Sequence, residues 1–194
     1  MKFVIATGNP GKVKDFNLLL SRLGHEAVSL KYLNINADIE ETGETFKENA
    51  YIKAKTIYDI VKIPTIADDS GLCVDALNGR PGVYSARYGG EGLSDRDRCI
   101  KLLEEMNDKE NRDAKFVCSI CAIIDEKHII ETSGECKGVL LKEIAGDNGF
   151  GYDPLFYVEE FGKTFGEISK EEKNQISHRR KATDKLIEKI EQEL

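Results

Sequence analysis

Two adjacent aspartates, Asp68 and Asp69, close a short apolar run and are followed by Ser70-Gly71. Paired carboxylates at a strand end can hold a hard divalent cation, which prefers oxygen ligands, and can orient a water molecule. Neighbouring residues of a strand face opposite sides, so the two aspartates have different jobs unless the strand has already ended. An ordinary turn explains them almost as well. Glu40 and Glu41 add carboxylates ahead of Thr42-Gly43, although a bare pair of this kind reads more simply as solvated charge.

Three other stretches carry donors. Thr7-Gly8-Asn9-Pro10-Gly11-Lys12 joins an apolar run to a helical pattern. Strand, glycine turn and helix together aim backbone N–H groups and a helix's positive end at an anion, and Lys12 adds a full charge. It is not a Walker loop, because only two residues separate the glycines and Val13 follows the lysine. A tight turn accounts for it equally well. Gly149-Phe150-Gly151-Tyr152-Asp153-Pro154 places aromatics in a glycine-rich loop. A purine can stack on such rings, yet they more often anchor a loop to the core. Ser177-His178-Arg179-Arg180 gathers donors that can read the O6 and N7 acceptors of a purine, or else forms a solvated basic turn.

Other chemistry is poorly supported. Cys118 and Cys121 fall in a strand pattern, where their odd spacing puts the thiols on opposite faces, and no second pair completes a zinc site. His25 and His128 lack partners at ligand spacing, and there is neither a Gly-x-Ser-x-Gly elbow nor a Gly-x-Gly-x-x-Gly fingerprint.

The elements that must position these residues alternate. Lys2 to Thr7 reads as a buried strand, and Val13, Phe16, Leu19, Leu20 and Leu23 trace a helix from Lys12 to about Gly24. Thr45-x-x-Glu48 is a capping box opening a helix with the stripe Phe46, Ala50, Ala54, Ile57 and Val61, stopped by Pro64. The strand Thr65 to Asp69 is expected to end at its two carboxylates. Ser94-x-x-Asp97 caps a helix through Met106, Lys115–Asp125 and His128–Leu141 form a hairpin, and Leu155–Val158 is a short strand. Ser169-x-x-Glu172 is another capping box, and a last helix covers Ser177 to Leu194. The order indicates an α/β fold with a mixed sheet.

Bulk properties set limits. A length of 194 residues suits one domain, of two closely packed lobes at most, with its own core. The net charge of −7 opposes a general nucleic-acid binder but not a phosphorylated small molecule met by a few converging lysines and a cation. Five scattered cysteines suit reduced thiols. The apolar run Phe3 to Ala6 is too short for a signal peptide or membrane span, so a cytoplasmic protein without a membrane partner is expected.

Together, the stretches resemble the inosine triphosphate pyrophosphatase family, and most closely its bacterial XTP/dITP diphosphatase branch. The resemblance rests on Thr7-Gly8-Asn9-x-Gly11-Lys12, Glu40-Glu41-Thr42-Gly43-x-Thr45-Phe46-x-Glu48-Asn49-Ala50, Ala67-Asp68-Asp69-Ser70-Gly71-Leu72, Pro81 to Tyr88, Gly149 to Pro154, and Glu172-Lys173 with Ser177-His178-Arg179. It covers nearly the whole chain. Asn148 departs from the pattern, which commonly has a second glycine there.

The resemblance implies an elongated α/β fold with a long mixed sheet flanked by helices, a cleft between two lobes, and a homodimer. It implies hydrolysis of ITP, dITP or XTP to the monophosphate and pyrophosphate with Mg²⁺. Thr7, Gly8, Asn9, Pro10, Gly11 and Lys12 would cradle the triphosphate, with Lys53, Ser70 and Lys173. Glu40, Glu41 and Asp69 would hold the metal, with Asp68 as a possible contributor, and Asp69 would be the general base. Phe150, Gly151, Tyr152, Asp153, His178 and Arg179 would bind the base. Rival readings are a pyrophosphatase for modified pyrimidine nucleotides, a non-catalytic nucleotide sensor, and an RNA-binding module using Ser177 to Lys181. The −7 charge opposes the last of these.

Overall fold

The computed structural model describes residues 1–194. Seven strands form one mixed sheet: β1 (Lys2–Ile5), β2 (Glu26–Ser29), β3 (Thr65–Val74), β4 (Asp113–Ile123), β5 (Ile129–Leu140), β6 (Phe156–Val158) and β7 (Lys163–Thr164). Their order is β2-β1-β3-β4-β5-β6-β7. β1 pairs in parallel with β2 and β3, whereas β6 pairs antiparallel with β5 and β7. The helices are α1 (Pro10–Leu20), α2 (Phe46–Val61), α3 (Asp95–Glu105), α4 (Lys170–Ile176) and α5 (His178–Glu193), with shorter 3-10 turns between them. No helix is long and apolar enough to cross a membrane.

The chain divides into two compact units. The first comprises Met1–Asp69, Cys118–Ser133 and Ala182–Leu194, and the second comprises Ser70–Val117 and Gly134–Lys181. In the first, strand alternation sorts the apolar side chains onto two sheet faces. Phe3, Ile5, Ile66, Cys118, Ile120 and Ala122 pack with Phe16 and Leu20 of α1 and with Ala182, Leu186 and Ile190 of α5. Val4, Ala6, Ala67, Cys121 and Ile123 pack with Ala50, Ala54, Ile57 and Tyr58 of α2. Cys118 and Cys121 thus enter different clusters, and all five cysteines are free thiols. The second unit has one core, in which Leu72, Val74, Cys99, Leu102 and Met106 surround the packed rings of Phe116, Phe156 and Phe165.

Two sequence expectations need correction, and two strands lay outside them. Helix α1 starts at Pro10 rather than Lys12, because Asn9 rather than a later residue caps it. Strand β3 does not end at Asp68-Asp69 but runs on to Val74, since Leu72 and Val74 are fully buried core residues. The short strands β2 and β7 were not anticipated, having four and two residues and little alternation of their own.

Both arms of the box that opens α2 are present: Glu48 N–H donates to Thr45 Oγ1 at 3.1 Å, and Thr45 N–H donates to Glu48 Oε2 at 3.0 Å. Thr45→Ala should lower unfolding free energy by about 1 kcal/mol in urea titration, an unchanged midpoint being the contrary result.

Candidate active site

The carboxylates sit where the sheet's alternation puts them. Asp68 follows Ile66 in the same orientation, toward α1, and Asp69 follows Ala67, toward α2. Each meets a lysine from the helix on its own side. Lys12 Nζ of α1 donates to both carboxylate oxygens of Asp68 at 2.8 Å. Lys53 Nζ of α2 donates to Asp69 Oδ1 at 3.3 Å and to Glu41 Oε1 at 2.6 Å. Both aspartates are buried.

Burial, aided by the Glu41 charge, pushes the Asp69 carboxyl above its ordinary value, while Lys53 and Asn49 pull the other way. For Lys53 burial is the largest influence and lowers the pKa. Asp69, Glu41 and Asp68 together outweigh it and hold the ammonium above its usual value. A positive centre is therefore retained among three carboxylates.

The Glu41 segment is fastened to α2. Gly43 N–H donates to Asn49 Oδ1 at 2.8 Å, and Glu44 N–H donates to Glu48 Oε2 at 2.7 Å. A side chain at Gly43 would come within 2.7 Å of both Asn49 Oδ1 and the Glu48 side chain, so the segment can lie this close only as glycine. Asn49 is completely buried, and its Nδ2 makes no hydrogen bond of ordinary geometry. Asp69 Oδ2 is likewise buried without a hydrogen-bond partner. Sequence reasoning gave Asn49 no role; its place in the first turn of α2, facing the strand, was the available signal.

The loop before α1 is closed by its own side chains. Asn9 Oδ1 accepts from Gly11 N at 2.8 Å and Lys12 N at 3.4 Å, and Thr7 Oγ1 accepts from Asn9 N at 3.2 Å. The first N–H groups of α1 are thus already capped, which leaves the Lys12 side chain as this stretch's main cation.

Glu40 is exposed and takes part in no hydrogen bond or ion pair. No three His, Cys, Asp or Glu side chains converge as a ready-made metal cage. The donor chemistry nevertheless fits a hard cation. Glu41 and Asp69 share one lysine, and the second carboxylate oxygen of Asp69 is buried with no hydrogen bond of ordinary geometry. Magnesium is commonly held by one or two carboxylates plus phosphate oxygens and water, so a full protein cage is not required.

In the second unit, the loop Gly149–Asp153 is organised by Asp153. Asp153 Oδ2 accepts from Phe150 N at 2.9 Å and from Lys173 Nζ at 2.5 Å. Gly149 has φ +75°, and a Cβ there would lie 2.0 Å from Asp153 Oδ2. Burial raises the Asp153 carboxyl, opposed by Lys173, the Phe150 N–H and Arg179. Lys173 Nζ also lies 4.7 Å from the centre of the Phe150 ring.

The aromatics of this loop divide. Phe150 is 60% exposed, whereas Tyr152 is 3% exposed and donates its hydroxyl to Ser85 O at 2.8 Å. Tyr152 is therefore an anchor and Phe150 the ring left open for stacking. His178 is buried and stacks on Phe116, with ring centres 5.0 Å apart and planes 16° from parallel. Arg179 is part-exposed and acts on Asp153 through its charge. Ser70 is the part-buried residue of β3 that follows Asp69.

Residues 3–189 match the Ham1 family. The chain is 48% identical over 191 residues to a dITP/XTP pyrophosphatase of Bacillus anthracis, covering 96% of this chain and 95% of the relative. It is 48% identical over 185 residues to a protein of the same name from Treponema denticola, covering 94% of each. Among solved structures, the Staphylococcus aureus Ham1 protein superposes with a TM-score of 0.95 at 42% identity over 100% of both chains. A nucleoside-triphosphatase, also titled dITP/XTP pyrophosphatase, from Mycobacterium abscessus gives 0.83 at 38% identity over 96% and 97%. With its β3 carboxylates, its paired lysines and its full-length agreement with these proteins, the chain belongs to the Ham1 family.

Proposed function

We infer that the protein hydrolyses deaminated purine nucleoside triphosphates, ITP, dITP and XTP, to the monophosphate and pyrophosphate. The relatives' names support the substrate class, and the observation that carries the chemistry is the Asp69–Lys53–Glu41 group, in which two carboxylates share one buried lysine. The same reading makes it a cytoplasmic homodimer acting on free nucleotides, with neither nucleic acid nor membrane as partner.

Asp69 is assigned as general base. As base, it takes the proton of the attacking water. The water adds to the α-phosphorus, the bond to the bridging oxygen breaks, and pyrophosphate departs intact. Attack at the γ-phosphorus would release orthophosphate instead. Glu41 and Asp69, with Glu40 near in sequence, are assigned to hold a divalent cation, magnesium in this reading, which would screen the phosphate charge. Lys12 and Lys53 meet the triphosphate as fixed positive charges, with Thr7, Gly8, Asn9, Pro10, Gly11 and Ser70 shaping the approach. Positioning and charge neutralisation do most of the work in phosphoryl chemistry, and no covalent nucleophile is needed.

The second unit is assigned to the base. Phe150 stacks on the purine, and Arg179 donates to the 6-oxygen, with His178 holding the surroundings, while Lys173 is assigned to the triphosphate. Adenine presents an amine where hypoxanthine presents an acceptor, so a donor-only site leaves that amine unpaired at a cost of about 1–3 kcal/mol.

Three experiments test these assignments. Product analysis with ITP, XTP, GTP and ATP should give pyrophosphate from ITP and XTP and none after chelation. Orthophosphate, or equal turnover of ATP, would overturn the proposed function. Asp69→Asn should keep the fold and nucleotide binding while losing turnover by about 10²-fold or more, and near-normal kcat would remove Asp69 as base. Arg179→Ala should reduce the ITP over ATP preference about tenfold, an unaltered ratio counting against base reading by this residue.

A further inference from the structure

The loop that carries Phe150 is held from outside by the first turns of α3, a helix to which the proposed function gives no part. Gly151 N–H donates to Asp95 Oδ2 at 2.7 Å, across 56 residues of sequence. The other oxygen of the same carboxylate, Oδ1, accepts from Arg98 Nη1 at 3.4 Å. One turn further along, the Cys99 thiol lies 3.4 Å from Gly151 O and donates to it. Both backbone polar groups of Gly151 are therefore taken by side chains of α3, one by a carboxylate and one by a thiol.

Gly151 has φ +59°, a backbone geometry that other residues rarely adopt. It sits between Phe150, whose ring is exposed, and Tyr152, which is sunk in the core. Turning the chain from one to the other requires this peptide to be fixed. The loop's internal fastening through Asp153 reaches Phe150 N and Lys173 but not Gly151. Cys99 is buried, and burial pushes its thiol up to about 11, so it remains a neutral S–H donor. Arg98 supports the arrangement from the helix side: its side chain is only 14% exposed, and its charge acts on Tyr152.

We propose that Asp95, oriented by Arg98, is a positioning residue for base selectivity, setting where Phe150 stands by holding the Gly151 peptide. This rests on the assignment of the Phe150 loop to the base. Asp95 does not touch the substrate in this account; it acts through Gly151. The plain competing explanation is that Asp95 merely stabilises α3, since an acidic residue in a helix's first turn interacts favourably with the helix dipole.

Two substitutions separate the explanations. Asp95→Asn removes the charge but keeps an acceptor oxygen for Gly151 N–H. Asp95→Glu keeps the charge in the first turn but moves the acceptor by one methylene. Steady-state kinetics with ITP, XTP and ATP, together with melting temperatures, would be measured for both variants, for Asp95→Ala and for Phe150→Ala.

If Asp95 positions the loop, Asp95→Ala and Asp95→Glu raise KM for ITP and lower the ITP over ATP ratio by about fivefold to tenfold, with kcat within about twofold. Asp95→Asn then keeps a ratio close to that of the unmodified protein. If Asp95 serves only the helix, Asp95→Glu matches the unmodified protein in every kinetic constant, and the proposal is overturned. It is equally overturned if all three Asp95 variants lose melting temperature while the ratio stays fixed. Phe150→Ala reports on the underlying reading. A ratio unchanged in Phe150→Ala removes the loop from base recognition. A ratio changed there but not in Asp95→Ala or Asp95→Glu removes Asp95 alone.

Discussion

The alternation of one strand governs the chemistry of the first unit. Because β3 continues as regular strand through Asp68 and Asp69, their carboxylates emerge on opposite faces, each against a different helix. Both are buried, and a buried carboxylate must be neutralised or hydrogen-bonded. Lys12 answers Asp68 from α1, and Lys53 answers Asp69 from α2. Those two lysines fix in turn how each helix approaches the sheet at this point. Removing either lysine would take a cation away from a buried carboxylate, which costs more than the pair's net contribution to stability. A bulge at this position would put both carboxylates on one face and take one of them away from its lysine.

The second unit repeats this logic with a single carboxylate. Asp153 is nearly inaccessible, and one of its oxygens takes both an ammonium and a backbone N–H. The ammonium of Lys173 also lies near the faces of Phe150 and Phe165, at 4.7 and 5.2 Å from the ring centres. A cation over a ring face is attracted by the ring's electron density, so Lys173 ties an exposed ring and a core ring to the same buried anion. The absence of a side chain at Gly149 is what lets the Asp153 carboxylate come so close. The Phe150 N–H and the Lys173 ammonium stand where that one charge is satisfied, while Gly151 is held separately by α3.

Much of this could be read from the chain, and the remainder has a common cause. The capping boxes at Thr45, Ser94 and Ser169 were legible because their hydrogen bonds join residues three apart, and all three are present. The opposite facing of Asp68 and Asp69 was legible from the strand period. The continuation of β3 past Ser70-Gly71 was not, since Gly71 reads as a turn signal and the burial of Leu72 and Val74 is decided by distant partners. The capping of α1 by Asn9 was local and could have been inferred from Asn-Pro-Gly, with Pro at the first helical position. The division of labour between Phe150 and Tyr152 depends on Ser85, 67 residues from Tyr152, and no local pattern encodes it. Burial of His178 against Phe116 is hidden for the same reason.

A protein of net charge −7 that handles a polyanion must concentrate its positive charge, and here that charge is already engaged. Lys12 and Lys53 each lie within 2.6 to 2.8 Å of a carboxylate oxygen. A triphosphate arriving alone would compete with those carboxylates for the same ammonium groups, and would be repelled by them. On the proposed assignments, carboxylates that took up a cation would release the lysine charge to the phosphates. The dependence on a divalent ion is thus expected from the charge balance of the folded chain itself, apart from any part the ion takes at phosphorus.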